Sequence, residues 1–219
     1  MFEQIMGNIA GHSALIPALV ALFRRRKMLP EYQPFFWCIL LACSNELLIT
    51  ALIWFRVGNI NINSNLFVLG EAMLYTWQFK RWKLFRKAQQ LFPAILVFLL
   101  AVWILDTLVF GKITRISSWY RIIYSLILVL LSVSYLNQIF SSTYDDLLRH
   151  PGFLITAGCI FYFTYKILVE LFWLYGLNNS NTFRTQVYVI LNFIDIANNL
   201  LFSYALLWTD RKQPYTMLY

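Results

Sequence analysis

The chain has 219 residues, of which 60% are hydrophobic, 18% aromatic and only 13% charged, and its mean hydropathy is +0.61. That composition is far more apolar than average soluble usage, which excludes an ordinary water-solvated enzyme domain and names the lipid bilayer as the main partner. A net charge of +8 would invite a nucleic-acid reading, but the basic residues lie in short connections between apolar stretches, not on one exposed face, so no nucleic acid is implied.

Crossing roughly 30 Å of hydrocarbon takes about 20 mostly apolar residues as helix. Punctuation by Pro, Gly and charge then divides the chain into about seven spans. The first, about 4–23, has no basic segment ahead of it, and Arg24, Arg25, Arg26 and Lys27 follow it, so it reads as a retained helix and not a cleaved signal. Pro17 loosens it from within. The second, about 34–55, starts at Pro34 and carries Glu46; the third, about 61–79, carries Glu71 and runs into Lys80, Arg81, Lys83, Arg86 and Lys87. The fourth, about 91–110, holds Pro93, expected to loosen it, and Asp106; the fifth, about 118–140, holds Arg121 near its start. The sixth, about 153–176, follows Pro151 and contains Lys166 and Glu170; the seventh, about 187–208, contains Asn192, Asp195, Asn198 and Asn199. The expected fold is all-α: residues 1–219 as a single integral membrane domain, a bundle of about seven transmembrane helices.

Loop charge sets the expected orientation. Arg149, Arg211 and Lys212 join the two basic clusters on one side, against Arg56, Lys112, Arg115 and Arg184 on the other. By the positive-inside rule the N-terminus is outside and the C-terminus cytoplasmic, as in a multi-pass protein of the cell membrane. Trp54, Trp82, Trp119, Tyr120, Trp173 and Trp208 fall at the span ends, as an interfacial belt requires.

A charge at the bilayer centre costs about 2.5–3.5 kcal/mol, so every ionisable residue within a span needs a partner or a watery cavity. Glu46, Glu71 and Asp195 fall near mid-span, with His12, Asp106, Lys166 and Glu170 from the middle toward the outer side. Asn192, Asp195, Asn198 and Asn199 share much of one helical face, which should look into the bundle. Lys166 and Glu170, one turn apart, either pair along their helix or reach neighbouring helices. Asp106 and Arg121 lie at matched depth and are candidates for a structural ion pair. The candidate ligand or proton site therefore comprises Glu46, Glu71, Lys166, Glu170, Asp195, Asn198 and His12, and the competing reading is polar glue between helices. Glu71, the most central acid, is expected to bond Asn45, Glu46, Asp195 or Asn198 on the second or seventh span.

Chemistry is sparse. Cys38, Cys43 and Cys159 lie inside spans without metal-type spacing, and no metal, cofactor or catalytic motif is present. A retinal-binding protein would resemble a chain with a lysine in its last helix, and residues 187–208 have none. Equal spacing of Glu46 from Glu71 and of Glu170 from Asp195 keeps a small proton-coupled or small-solute transporter with an acidic midplane site as an alternative.

Asn65-Leu66 followed by Glu71 and Tyr75, then Pro151, Phe153, Gly158 and Tyr162, and finally Asn198-Asn199, carry a resemblance to largely uncharacterised bacterial membrane proteins that look like free-standing versions of the seven-helix sensory regions of histidine kinases. The resemblance implies a non-enzymatic sensor- or receptor-like role, signalling through a separate cytoplasmic protein. Lys80 to Lys87, with Trp82 and Phe85 interleaved, would meet that partner or the anionic lipid surface.

Overall fold

The computed structural model describes residues 2–56, 58–141, 147–175 and 181–210. They form α1 (Phe2–Ser13), α2 (Leu15–Arg24), α3 (Gln33–Phe55), α4 (Ile60–Arg81), α5 (Leu91–Ile104), α6 (Ser118–Phe140), α7 (Pro151–Leu174) and α8 (Asn181–Leu206), with no strand among the described residues. Short 3-10 turns at Pro30–Tyr32 and Leu147–Arg149 lead into α3 and α7.

Each apolar stretch of the sequence folds as helix, but they are not equal. Among the described residues, five segments are long and apolar enough to cross a membrane: Pro30–Phe55, Leu91–Val109, Ser118–Phe140, Pro151–Leu174 and Thr185–Leu206. The first stretch is cut in two at Ala14, because the ring of Pro17 removes a donor and clashes with the carbonyl four residues earlier, that of Ser13. The third, α4, is diluted by Asn61, Asn63, Ser64 and Asn65 at its start. Pro93 does not act as a hinge; it sits in the first turn of α5, where backbone donors have no helical partner to lose.

The ends of the bundle are fixed by identifiable bonds. At one end Arg24 donates to the carbonyl of Leu207 (2.8 Å) and Leu29 N–H to that of Thr209 (3.1 Å). Gln78 closes the start of α3, its Oε1 accepting from Phe35 N–H (2.8 Å) and its Nε2 donating to the Glu31 carbonyl (2.7 Å). Arg149 lies over the Trp208 ring at the same end (5.4 Å), so the basic connections gather there. His150 caps α7, its Nδ1 accepting from Phe153 N–H (3.0 Å).

At the opposite end Asn65, fully buried, donates to the carbonyls of Ile113 (3.0 Å) and Arg115 (2.7 Å) and accepts from Ser117 N–H (3.3 Å). Its own carbonyl takes the Trp103 indole N–H (2.9 Å). One side chain thereby fixes the reversal between α5 and α6. Helix α5 runs into that reversal through a π turn, Leu105–Val109.

Between the ends the core is aromatic. Phe35 meets Tyr75 and Phe202, Tyr75 meets Phe163, and nearer the basic end Trp82 stacks on Tyr135 with centroids 4.5 Å apart. The outer faces are apolar too, with Phe23, Trp54 and Phe110 more than four-fifths exposed. Such a surface is stable only against lipid, which makes this a membrane-associated protein.

Candidate functional site

Two polar assemblies occupy the interior, and Glu71 belongs to both. The first links α4, α6 and α7. Tyr124 donates its hydroxyl proton to Glu71 Oε2 (2.7 Å) and accepts from Lys166 Nζ (2.5 Å), while Lys166 also reaches Glu71 Oε2 directly (3.4 Å). The ammonium lies within a cage of rings, 5.2 Å from the centroid of Tyr124, 5.1 Å from Tyr162 and 5.7 Å from Phe163. A buried lysine is retained in this setting because a carboxylate and aromatic faces replace its water.

One turn along the same seam, Arg121 Nε stands 3.7 Å from Glu170 Oε1 and its Nη2 donates to Ser64 Oγ (2.6 Å). Of the two arrangements open to Lys166 and Glu170, the structure adopts the second: each reaches across to other helices. The expected Asp106–Arg121 pair does not form. Asp106 instead accepts from the backbone N–H of Tyr120 (2.9 Å) in the first turn of α6. There the free N–H groups and the positive end of the helix dipole suit a carboxylate. Arg121 is left to Glu170.

The second assembly is a cavity of about 250 Å³ bounded by α1, α3, α4, α7 and α8. Small residues of the first rod, Gly7, Ala10, Gly11 and Ala14, leave its volume open, and Glu46, Glu71, Asn192, Asp195 and Asn198 project polarity into it. The Glu46 carboxylate lies against Gly11, where an added Cβ would come within 2.8 Å of Oε2. Asn199 is held by donating to Ser13 Oγ (2.7 Å). Among the described residues, the side chains of Asn192, Asp195 and Asn198 make no hydrogen bond. Close approach of α7 to α8 confines this face: a Cβ at Gly158 would overlap Asn198 Oδ1 and Phe202.

Of the residues singled out from sequence, Glu46, Glu71, Asp195 and Asn198 are thus brought together, Lys166 reaches them through Glu71, and Glu170 is engaged elsewhere. His12 does not line the cavity. It is exposed on the first rod, beside a crevice shared with Cys43, Glu46 and Thr50. Glu71 is buried as expected, but its partners are Tyr124 and Lys166 on α6 and α7, not Asn45, Glu46, Asp195 or Asn198. Tyr124 was missed, although its place one turn after Arg121 puts both on one face of α6. Outside the spans, burial pushes the His150 imidazole down to about 4.

Among known proteins, the chain matches no family model, no curated protein and no solved structure. The site therefore has to be read from its own chemistry.

Proposed function

We propose that the chain is a sensor- or receptor-like, multi-pass protein of the cell membrane, a bacterial inner membrane, with seven crossings, an outer N-terminus and a cytoplasmic C-terminus. It binds a small polar ligand in the cavity and signals through a separate cytoplasmic protein. The observation that carries this is the row of polar side chains, Asn192, Asp195 and Asn198, that have no hydrogen-bond partner among the described residues and line a cavity of about 250 Å³ inside an apolar bundle. Polar glue would pair those groups, since each unsatisfied group in hydrocarbon costs several kcal/mol. An occupant would satisfy them.

Seven crossings are supported by what α1–α2 and α4 touch. Gly7 lies by Asn192, Ser13 by Asn199 and Arg24 by Leu207, so the broken first rod runs parallel to α8 over its full depth, as a first and a seventh crossing must. Helix α4 likewise reaches from the Asn65 latch to the Gln78 cap. Coupling to the cytoplasmic side is supported by Glu71: an occupant that draws on it changes the hold of Glu71 and Tyr124 on Lys166, and hence on α7. The exposed Lys80, Arg81, Lys83, Arg86 and Lys87 offer the partner a basic surface.

Tags at the two termini should report opposite sides of the membrane; both on one side would remove the seven-crossing arrangement. The second reading, a small transporter, is favoured by Glu46 and Asp195 lining one cavity. Purified protein in liposomes should pass neither protons nor a panel of small solutes. Flux that vanishes in Glu46→Gln or Asp195→Asn would replace the sensor with the carrier.

A further inference from the structure

We infer that the cavity is a site for a small organic cation, a protonated or quaternary amine. The inference rests on the ligand cavity just described and names its ligand class. Charge supplies the first argument. Of the interior acids, Glu71 is matched by Lys166 and Glu170 by Arg121, whereas Asp195 has neither an ion pair nor a hydrogen bond among the described residues. Glu46, on α3, adds a second carboxylate, and among the described residues no lysine or arginine lines the cavity. An anionic ligand would meet like charge there, and a neutral one would leave Asp195 with only the field of Lys166, an ammonium already paired with Glu71.

Aromatic faces supply an independent argument. Phe67, Tyr75, Tyr162 and Phe202 line the same cavity. Rings around a carboxylate are the surroundings in which alkylammonium groups bind, the ring faces attracting the cation while the carboxylate neutralises it. The protein already solves this problem once, with Lys166 held between Glu71 and the rings of Tyr124, Tyr162 and Phe163. Tyr162 therefore stands between an ammonium that is part of the chain and a cavity built to take another. Size sets the last limit: about 250 Å³ lies below the roughly 300–1,000 Å³ of pockets for drug-sized ligands, so the ligand has few heavy atoms.

The test measures binding to the full chain in lipid nanodiscs at neutral pH by calorimetry and thermal shift. The probes are tetramethylammonium, n-propylammonium, n-propanol and n-butyrate. Wild type should bind one or both ammonium probes, and neither the alcohol nor the carboxylate. Asp195→Asn, which keeps shape, should weaken the ammonium probes roughly ten- to a hundredfold, the loss expected for one charge-assisted bond. Ala42 of α3 lines the cavity, and Ala42→Leu should fill it and abolish binding without lowering the unliganded melting temperature. Binding of the alcohol or carboxylate in preference, failure of both ammonium probes to bind, or equal ammonium binding in all three proteins overturns the cation assignment. A neutral or anionic preference lost in Ala42→Leu would leave the sensor reading standing. Ammonium binding accompanied by ammonium flux in liposomes would sink the sensor reading while leaving the cation assignment in place.

Discussion

Replacing Glu71 with leucine isolates the charge pair at the centre of the bundle. Lys166 Nζ lies 3.4 Å from Glu71 Oε2, with side chains only 10% and 8% exposed. At an effective dielectric of about 20, a pair at that distance attracts by on the order of 5 kcal/mol, in line with the roughly 3–5 kcal/mol lost when one partner of a buried pair is removed. A neutral hydrogen bond between membrane helices is worth far less, about 0.6 kcal/mol on average and 1.7 at most. Those magnitudes separate an ionised pair from ordinary polar contact. Glu71→Leu should cost about 3–5 kcal/mol, because Lys166 keeps the Tyr124 and Tyr162 hydroxyls but no carboxylate at ion-pair distance among the described residues. Glu71→Gln keeps an acceptor for Tyr124 and should cost about 1–3 kcal/mol. Glu71→Leu combined with Lys166→Met should recover most of the loss, since an apolar replacement for a buried pair is often neutral. The assay is reversible denaturant unfolding in mixed micelles, analysed as a double-mutant cycle. A coupling energy near 0.6 kcal/mol, or a Glu71→Leu protein as stable as wild type, would refute an ionised Glu71–Lys166 pair.

His150 caps α7 through an unprotonated Nδ1, and burial holds its pKa at about 4 against an ordinary 6.5. The folded state therefore binds this proton less readily than the unfolded state: the stabilising contribution is complete above about pH 6.5 and is lost as pH falls toward 4, by up to about 3 kcal/mol. Unfolding followed over pH 4–7 should show a slope that His150→Asn, which keeps a capping acceptor, removes; parallel profiles would contradict it. Asn65→Ala deletes three bonds to the 113–117 segment and should cost about 2–4 kcal/mol. Hydrogen exchange should speed up at the amides of 113–117 while the middle of α6 stays protected, and unchanged exchange would show that the latch is not what orders the turn. Arg121→Leu should strand Glu170 and cost about 2–4 kcal/mol in the same unfolding assay, whereas Asp106→Asn, with its backbone bond kept, should cost under about 1 kcal/mol. Equal losses would restore the Asp106–Arg121 pairing.

Helices were legible because apolar runs of the right length have few alternatives, and the Pro17 interruption follows from one missing donor. Partner choice was not legible to the same degree. Matching Asp106 with Arg121 used depth along the helices, which chain position supplies. Azimuth was lacking: each residue turns the side chain by about 100°, so depth alone leaves several neighbouring helices open. The π turn at Leu105–Val109 shifts that angle further and aims Asp106 at the Tyr120 amide. Glu71 was correctly placed indoors, but its bond to Tyr124 could not be read from a chain so rich in tyrosine, most of which reads equally well as interfacial belt. The face of α8 bearing Asn192, Asp195 and Asn198 was visible from spacing alone, because it needs only one helix's own periodicity.

Helix α4 also bears on how such a chain is made. Its polar residues are provided for by other elements, and synthesis does not deliver those elements together. Gln78 finds its partners on α3 and the 3-10 turn before it, and Asn63 finds Asn45 on α3; both elements have already emerged. Asn65 and Glu71 wait for residues 113–117, Tyr124 and Lys166, all still to be translated. Until then the least apolar of the long helices is held beside α3 by Gln78, by the Asn63–Asn45 bond and by aromatic contacts. Its final seating is thereby a late event in biogenesis, completed only when α6 and α7 arrive as a pair.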